Sequence, residues 1–232
     1  MSRAGASLGG CASCKGRCCR EYTVNVTPAD LRRLSTGMSV HPREFVTLRE
    51  KDDGDFRFRP GGPVYDLRLR HRPDTQGCVF LMEIAPGHAR CGAYLHRPAV
   101  CATYPAALKR NTVTVRDDTL CGGSDSWNLT TMDLPGLRAG ILANRAAWAE
   151  HLRLAERWNA HVDAGYRTRT HDELYDFLLD PERSGAPELT GPDARPDGSA
   201  TPDGSATPGE DDGSRTGDGA GGGAGAVEPV RA

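Results

Sequence analysis

The sequence predicts an α+β protein: a small, irregular, cysteine-rich module with short strands, followed by a long helix and a disordered C-terminal tail. Three observations carry that expectation. Four of the eight cysteines are packed into residues 11–19. Apolar residues alternate in short runs between positions 55 and 82, the period of half-buried strands. A single apolar stripe of helical period then runs from Leu134 to about Val162. The predicted organisation is a cysteine-cluster module over 1–125, a helical segment packed on it over 126–182, and an acidic tail rich in Gly, Pro, Ser and Asp over 183–232.

Each element has a local reason. Thr27-Pro28-Ala29-Asp30 opens a helix, with Thr27 able to cap, Pro28 suited to the first helical position and Asp30 facing the positive helix end. That helix is expected to reach about Ser35 and stop near Gly37. His41-Pro42-Arg43-Glu44-Phe45 suggests another short helical turn. Phe56 and Phe58 alternate with Arg57 and Arg59; Val64, Leu67 and Leu69 follow, then Val79-Phe80-Leu81-Met82. Residues 86–105 read as short turns, and 106–116 as a hairpin around Asn111. In the long helix Leu134, Leu137, Ile141, Trp148, Leu152, Ala155 and Val162 are spaced by three, four or seven. A last helix starts at the capping box Thr170-His171-Asp172-Glu173 and carries Leu174, Phe177 and Leu178.

Charge is unevenly spread. The chain of 232 residues has a formal net charge of −2, but residues 183–232 hold 4 Arg against 9 Asp and Glu, a net of −5. The remaining 25 basic and 22 acidic residues leave 1–182 at +3. That balance is too weak for a nucleic-acid partner, which calls for a concentrated basic face. The tail also repeats PDGSAT, at Pro196–Thr201 and Pro202–Thr207, and has almost nothing with which to bury apolar area, hence the expectation of disorder. The N-terminus has no apolar stretch of secretory type, and no run approaches the eighteen or so apolar residues of a membrane span. A cytoplasmic location without membrane contact is therefore expected. In that reducing compartment clustered thiols are more often metal ligands or catalytic groups than disulfides.

The first cysteine run is Cys11-x2-Cys14-x3-Cys18-Cys19, in a loop with Ala12, Ser13 and Gly16. Thiols two or three residues apart in such a loop can converge on one centre. Adjacent Cys18 and Cys19 are expected to point apart, so that they serve two centres or only one of them ligates. Lys15, Arg17 and Arg20 interleave with the thiols and favour thiolate over thiol. Cys78, Cys91, Cys101 and Cys121 follow at spacings of 13, 10 and 20 residues. Each of these four alone would more often be an inert buried residue than a ligand; the motif around Cys91 and Cys101 raises their standing, and the candidate metal ligands are Cys11, Cys14, Cys18, Cys19, Cys78, Cys91, Cys101 and Cys121. His88 and His96, near Cys91, could replace a thiolate, although a solvated loop histidine is the simpler reading; His71, between arginines, reads as exposed.

The stretch Cys91–Pro105 reads C-x2-Y-x3-R-P-x2-C-x2-Y-P. Together with Cys11–Cys19 and Cys78-Val79-Phe80-Leu81 it resembles the bacterial YkgJ-type cysteine-cluster family, described as a zinc- or iron-chelating domain. Ala102 stands where that family often has Arg. The family also resembles the cysteine-rich part of flagellin lysine N-methylase, which would make lysine methylation an alternative activity. The resemblance implies metal binding, with zinc and a [4Fe–4S] cluster both open. Eight cysteines fill two tetrahedral zinc sites, or one cluster with four to spare. The expected partner is thus a metal ion or cluster, redox-active in the leading reading; in the alternative the protein is a structural zinc module that also meets a protein partner. Phosphate-loop, dinucleotide and H-E-x-x-H motifs do not occur.

Overall fold

Thr27 begins the first long helix as its chemistry dictates. Its side chain accepts from the Asp30 backbone N–H while the Asp30 carboxylate accepts from the Thr27 N–H, closing a capping box with Pro28 at the first turn. In this computed structural model residues 15–120, 127–165 and 168–182 are described. Cys11, Cys14, Cys121 and the tail 183–232 lie outside them. In chain order the helices are α1 (Arg17–Glu21), α2 (Pro28–Met38), α3 (Pro42–Phe45), α4 (Ala99–Thr103), α5 (Leu134–Ala164) and α6 (His171–Leu179). The strands are β1 (Val46–Glu50), β2 (Phe56–Arg57), β3 (Val64–Leu69), β4 (Leu81–Ala85), β5 (His88–Cys91), β6 (Ala106–Lys109) and β7 (Thr112–Val115). The fold is α+β, with short antiparallel strands and one long helix.

Strand β3 is the centre of the main sheet, flanked by β1 on one side and β2 on the other, both antiparallel. Asn25 bridges Arg68 and prolongs the sheet beyond β2. Leu67 and Leu69 are buried, and so are Asp66 and Arg68 on the alternate positions, so β3 is covered on both faces. Two further hairpins stand by themselves, β4–β5 and β6–β7. The second turns through Arg110 and Asn111, both at positive φ, a conformation that asparagine tolerates well.

One apolar core joins the sheet to the helices. Val26, Leu31, Leu34, Phe45, Phe56 and Leu67 pack with Trp158 and Val162 of α5 and with Leu174 and Leu178 of α6. A second cluster puts Ala106 and Val113 of the β6–β7 hairpin with Trp127 against Leu137 and Ile141, nearer the start of α5. The long helix thus contributes to both. Polar bonds also stitch it to β2: Trp158 Nε1 donates to the Arg57 carbonyl at 2.7 Å, and the Arg57 N–H donates to Asn159 Oδ1 at 3.0 Å. Among the described residues no helix is long and apolar enough to cross a membrane.

Three local expectations change. Residues 86–105 hold β5 and α4 as well as turns, and Val46–Glu50 forms a strand that was not anticipated. The α2 helix continues past Gly37 and ends at Ser39, whose φ of 54° stops it. Gly37 is there because the His96 ring lies against it; a Cβ would stand 2.2 Å from His96 Nδ1. Gly37→Ala is accordingly expected to lower the melting temperature. The helix-propensity gain of about 1 kcal/mol is opposed by an overlap costing about 1–3 kcal/mol. A melting temperature that rises would contradict this placement of His96.

Candidate metal centre

Short elements bring the cysteines together. Gly16, at φ 70°, turns the chain into α1, which carries Cys18 and Cys19. Any side chain at Gly16 would strike Leu81, Arg20 and Ala89, so the turn rests directly on the β4–β5 hairpin. Arg20 fixes this contact twice, donating to the Lys15 carbonyl at 2.5 Å and pairing with Glu83 of β4. The Cys19 carbonyl accepts from the Cys78 N–H at 2.7 Å, which ties α1 to the turn before β4. Cys91 ends β5, opposite Leu81 in the hairpin register.

The fourth segment, α4 with Cys101, is placed chiefly by Asp30, which the sequence presents only as part of the start of α2. Asp30 is 2% exposed; besides capping α2 it accepts from the Ala99 N–H, the first helical residue of α4, at 2.9 Å. One carboxylate therefore caps two helices. Arg33 pairs with the same carboxylate and donates to the Arg97 carbonyl at 3.0 Å, holding the approach to α4. Arg97 lies over the Tyr94 ring, 4.1 Å from its centroid, and reaches the Ala102 carbonyl beside Cys101. The local signal in Thr27–Asp30 announced a cap; nothing local announced its second client.

Electrostatics report how near the thiols are. Burial pushes the Cys101 thiol well above its ordinary pKa, and the neighbouring Cys78, Cys18 and Cys91 thiols push it further, as does Asp30. The residue as a whole is only partly buried, so it is the sulfur end that lies inside. Burial also raises Cys78, opposed by a hydrogen bond from the Phe80 backbone and by the charge of Arg72. Sulfurs from α1, the 78–81 turn, β5 and α4 thus share one neighbourhood.

Cys18 and Cys19 do not point apart as expected. Their sulfurs are 4.0 Å from one another, far beyond a disulfide bond. Two thiolates bonded at about 2.3 Å to one tetrahedral ion would stand roughly 3.8 Å apart, so the pair has a separation that a single centre can use. No group of three or more His, Cys, Asp or Glu side chains among the described residues stands ready to hold an ion. As a donor set, five thiols from four segments suit zinc or iron, both of which accept thiolate ligands.

The chain leading to Cys121 is also drawn to α1. Arg17 donates to the Leu120 carbonyl at 3.0 Å, the Leu120 N–H donates to Tyr104 Oη at 2.7 Å, and Tyr22 Oη donates to the Asp118 carbonyl at 2.6 Å. Arg116 clasps the Asp118 carboxylate through two hydrogen bonds, which hold its pKa below the usual range. Such a clasp is complete at neutral pH and is lost as pH falls through that lowered value. His88 is exposed and His96 packs on Gly37, while the Arg97 guanidinium donates to the Ala102 carbonyl.

Fold and site together define a mixed α+β protein with a cysteine cluster assembled from several chain segments. Residues 10–122, which include all eight cysteines, match the family model CxxCxxCC, "Putative zinc- or iron-chelating domain". No curated protein and no solved structure matches the chain.

Proposed function

We propose that the protein binds iron as a [4Fe–4S] cluster through its cysteine thiolates and uses that centre in electron transfer or redox sensing. The observation that carries the reading is the Cys101 thiol, which feels Cys78, Cys18 and Cys91 from three other segments of the chain. With Cys19 also packed against the apolar core, and Cys11, Cys14 and Cys121 in the same matched domain, the thiols cover the four that a [4Fe–4S] cluster takes. A bound cluster supplies one-electron chemistry; the protein's part is to present thiolates and to set the charge of Arg72 against that of Cys78. A reducing cytoplasm is the compartment in which such thiols persist.

A second reading has its own observation. The 4.0 Å separation of the Cys18 and Cys19 sulfurs suits two ligands of the same tetrahedral ion, which favours a structural zinc site. Zinc would then tie α1 to the β4–β5 hairpin and α4, where the short elements bury little core of their own.

Metal and sulfide analysis of anaerobically purified protein, with a visible spectrum, separates the two. The proposal expects iron with acid-labile sulfide and a broad band that bleaches with dithionite. Colourless protein with stoichiometric zinc sinks the iron–sulfur reading in favour of the structural one. Protein with neither metal sinks both.

A further inference from the structure

His71 and Cys78 face each other across a hairpin that the sequence does not advertise. The Val79 N–H donates to the Arg70 carbonyl and the Arg72 N–H donates to the Gly77 carbonyl, at 2.9 and 2.8 Å. These two bonds flank the bridge between His71 and Cys78, which makes it a non-hydrogen-bonded antiparallel pair. In such a pair the two side chains leave the same face of the ladder, closer together than anywhere else in it. The second observation is independent. His71 Nε2 is buried and has no hydrogen-bond partner among the described residues. A buried ring nitrogen without a partner is uncommon in a folded protein and calls for an acceptor or donor that the folded chain alone does not supply.

We propose that His71 is a positioning residue of the metal centre, its Nε2–H donating a hydrogen bond to the Cys78 sulfur when that sulfur is a metal-bound thiolate. The inference rests on the reading of Cys78 as a ligand. A neutral thiol is a weak acceptor, whereas a metal-bound thiolate accepts well, so loading the centre supplies the partner that the ring lacks. Cys78 already takes a hydrogen bond from the Phe80 backbone, and His71 would add a second donor from the facing strand. Donors to ligand sulfurs orient them and tune the affinity and potential of the metal they bind. Arg72, which follows His71, also lowers the pKa of the Cys78 thiol, so the same short hairpin brings both a charge and a ring donor to one sulfur.

The test uses the full-length chain, loaded with cobalt(II), and its His71→Phe and His71→Gln variants. Affinity is measured by competition with a chromophoric chelator, and the thiolate-to-cobalt charge-transfer band is recorded for each. His71→Phe keeps the ring volume and loses the donor: the expected result is a 10–100-fold weaker affinity, unchanged stoichiometry and a shifted charge-transfer band. His71→Gln retains an N–H donor and is expected to restore most of the affinity and the band position. Equal affinity and an unshifted band in all three proteins would overturn the role of His71 while leaving Cys78 a ligand. Equal losses in both variants would make the ring a packing element and overturn it as well. A wild-type chain that binds no cobalt, and takes up no cluster on anaerobic reconstitution with iron and sulfide, overturns the metal reading itself, and this inference with it.

Discussion

Cys101→Ser is expected to leave the protein folded but largely without metal. Serine nearly matches cysteine in volume, so the α4 turn and its cap on Asp30 can persist. What is lost is the sulfur that lies inside, in the neighbourhood of three others. An alkoxide is a poor substitute for a soft sulfur donor, and a serine hydroxyl does not ionise near neutral pH. Losing even a supporting partner of a metal ligand typically costs 10–100-fold in affinity, so removal of a ligand is expected to cost at least about as much. The check is metal per chain after anaerobic purification, with circular dichroism to confirm the fold. Full occupancy in Cys101→Ser would place the centre elsewhere.

Asp30→Ala carries the largest expected loss of stability. The carboxylate is buried and accepts from the Thr27 N–H, the Thr27 hydroxyl and the Ala99 N–H, and it pairs with Arg33. Removing it strips two helix caps and leaves a partly buried guanidinium without its counter-charge. Two lost caps at about 1–2 kcal/mol each, with up to about 1 kcal/mol from the part-exposed pair to Arg33, sum to about 2–5 kcal/mol. At about 2–4 °C per kcal/mol for a chain of this size, the melting temperature should fall by roughly 4–20 °C. Because the same carboxylate anchors α4, metal affinity should weaken too, although Asp30 is no ligand in this account. Thermal melts and chelator competition on one preparation check both effects. A melting temperature lowered by less than about 2 °C would mean that water or another group replaces the carboxylate at both caps.

These two residues also mark what the sequence alone could tell. The caps at Thr27 and Thr170 follow from a few adjacent residues and formed as read. The apolar stripe of α5 belongs to a helix that starts at Leu134 and runs two residues past Val162. The strand Val46–Glu50 was missed although Val46 and Leu48 alternate with Thr47 and Arg49, because that alternation spans only four residues and ends on exposed charges. Gly37 looked like a stop because glycine usually ends helices, whereas here it makes room for His96 from a loop far along the chain. The link from Asp30 to Ala99 spans 69 residues and leaves no local pattern.

The candidate centre divides in the same way. Tight cysteine spacing over Cys11–Cys19 is a local feature and was legible. That α1 would set the Cys18 and Cys19 sulfurs 4.0 Å apart depends on a short helix that the small residues around it did not announce. His71 read as exposed between two arginines, because its burial comes from a hairpin whose pairing only the three-dimensional register reveals.

X-ray absorption spectroscopy at the edge of whichever metal co-purifies tests the central claim most directly, because it reports the atoms bonded to that metal. The account predicts a first shell dominated by sulfur, at about 2.3 Å if the metal is zinc, with a second, metal–metal shell if it is an iron–sulfur cluster. A first shell of oxygen and nitrogen alone would contradict it, since the cysteines gathered around α1, the β4–β5 hairpin and α4 would then not be the ligands.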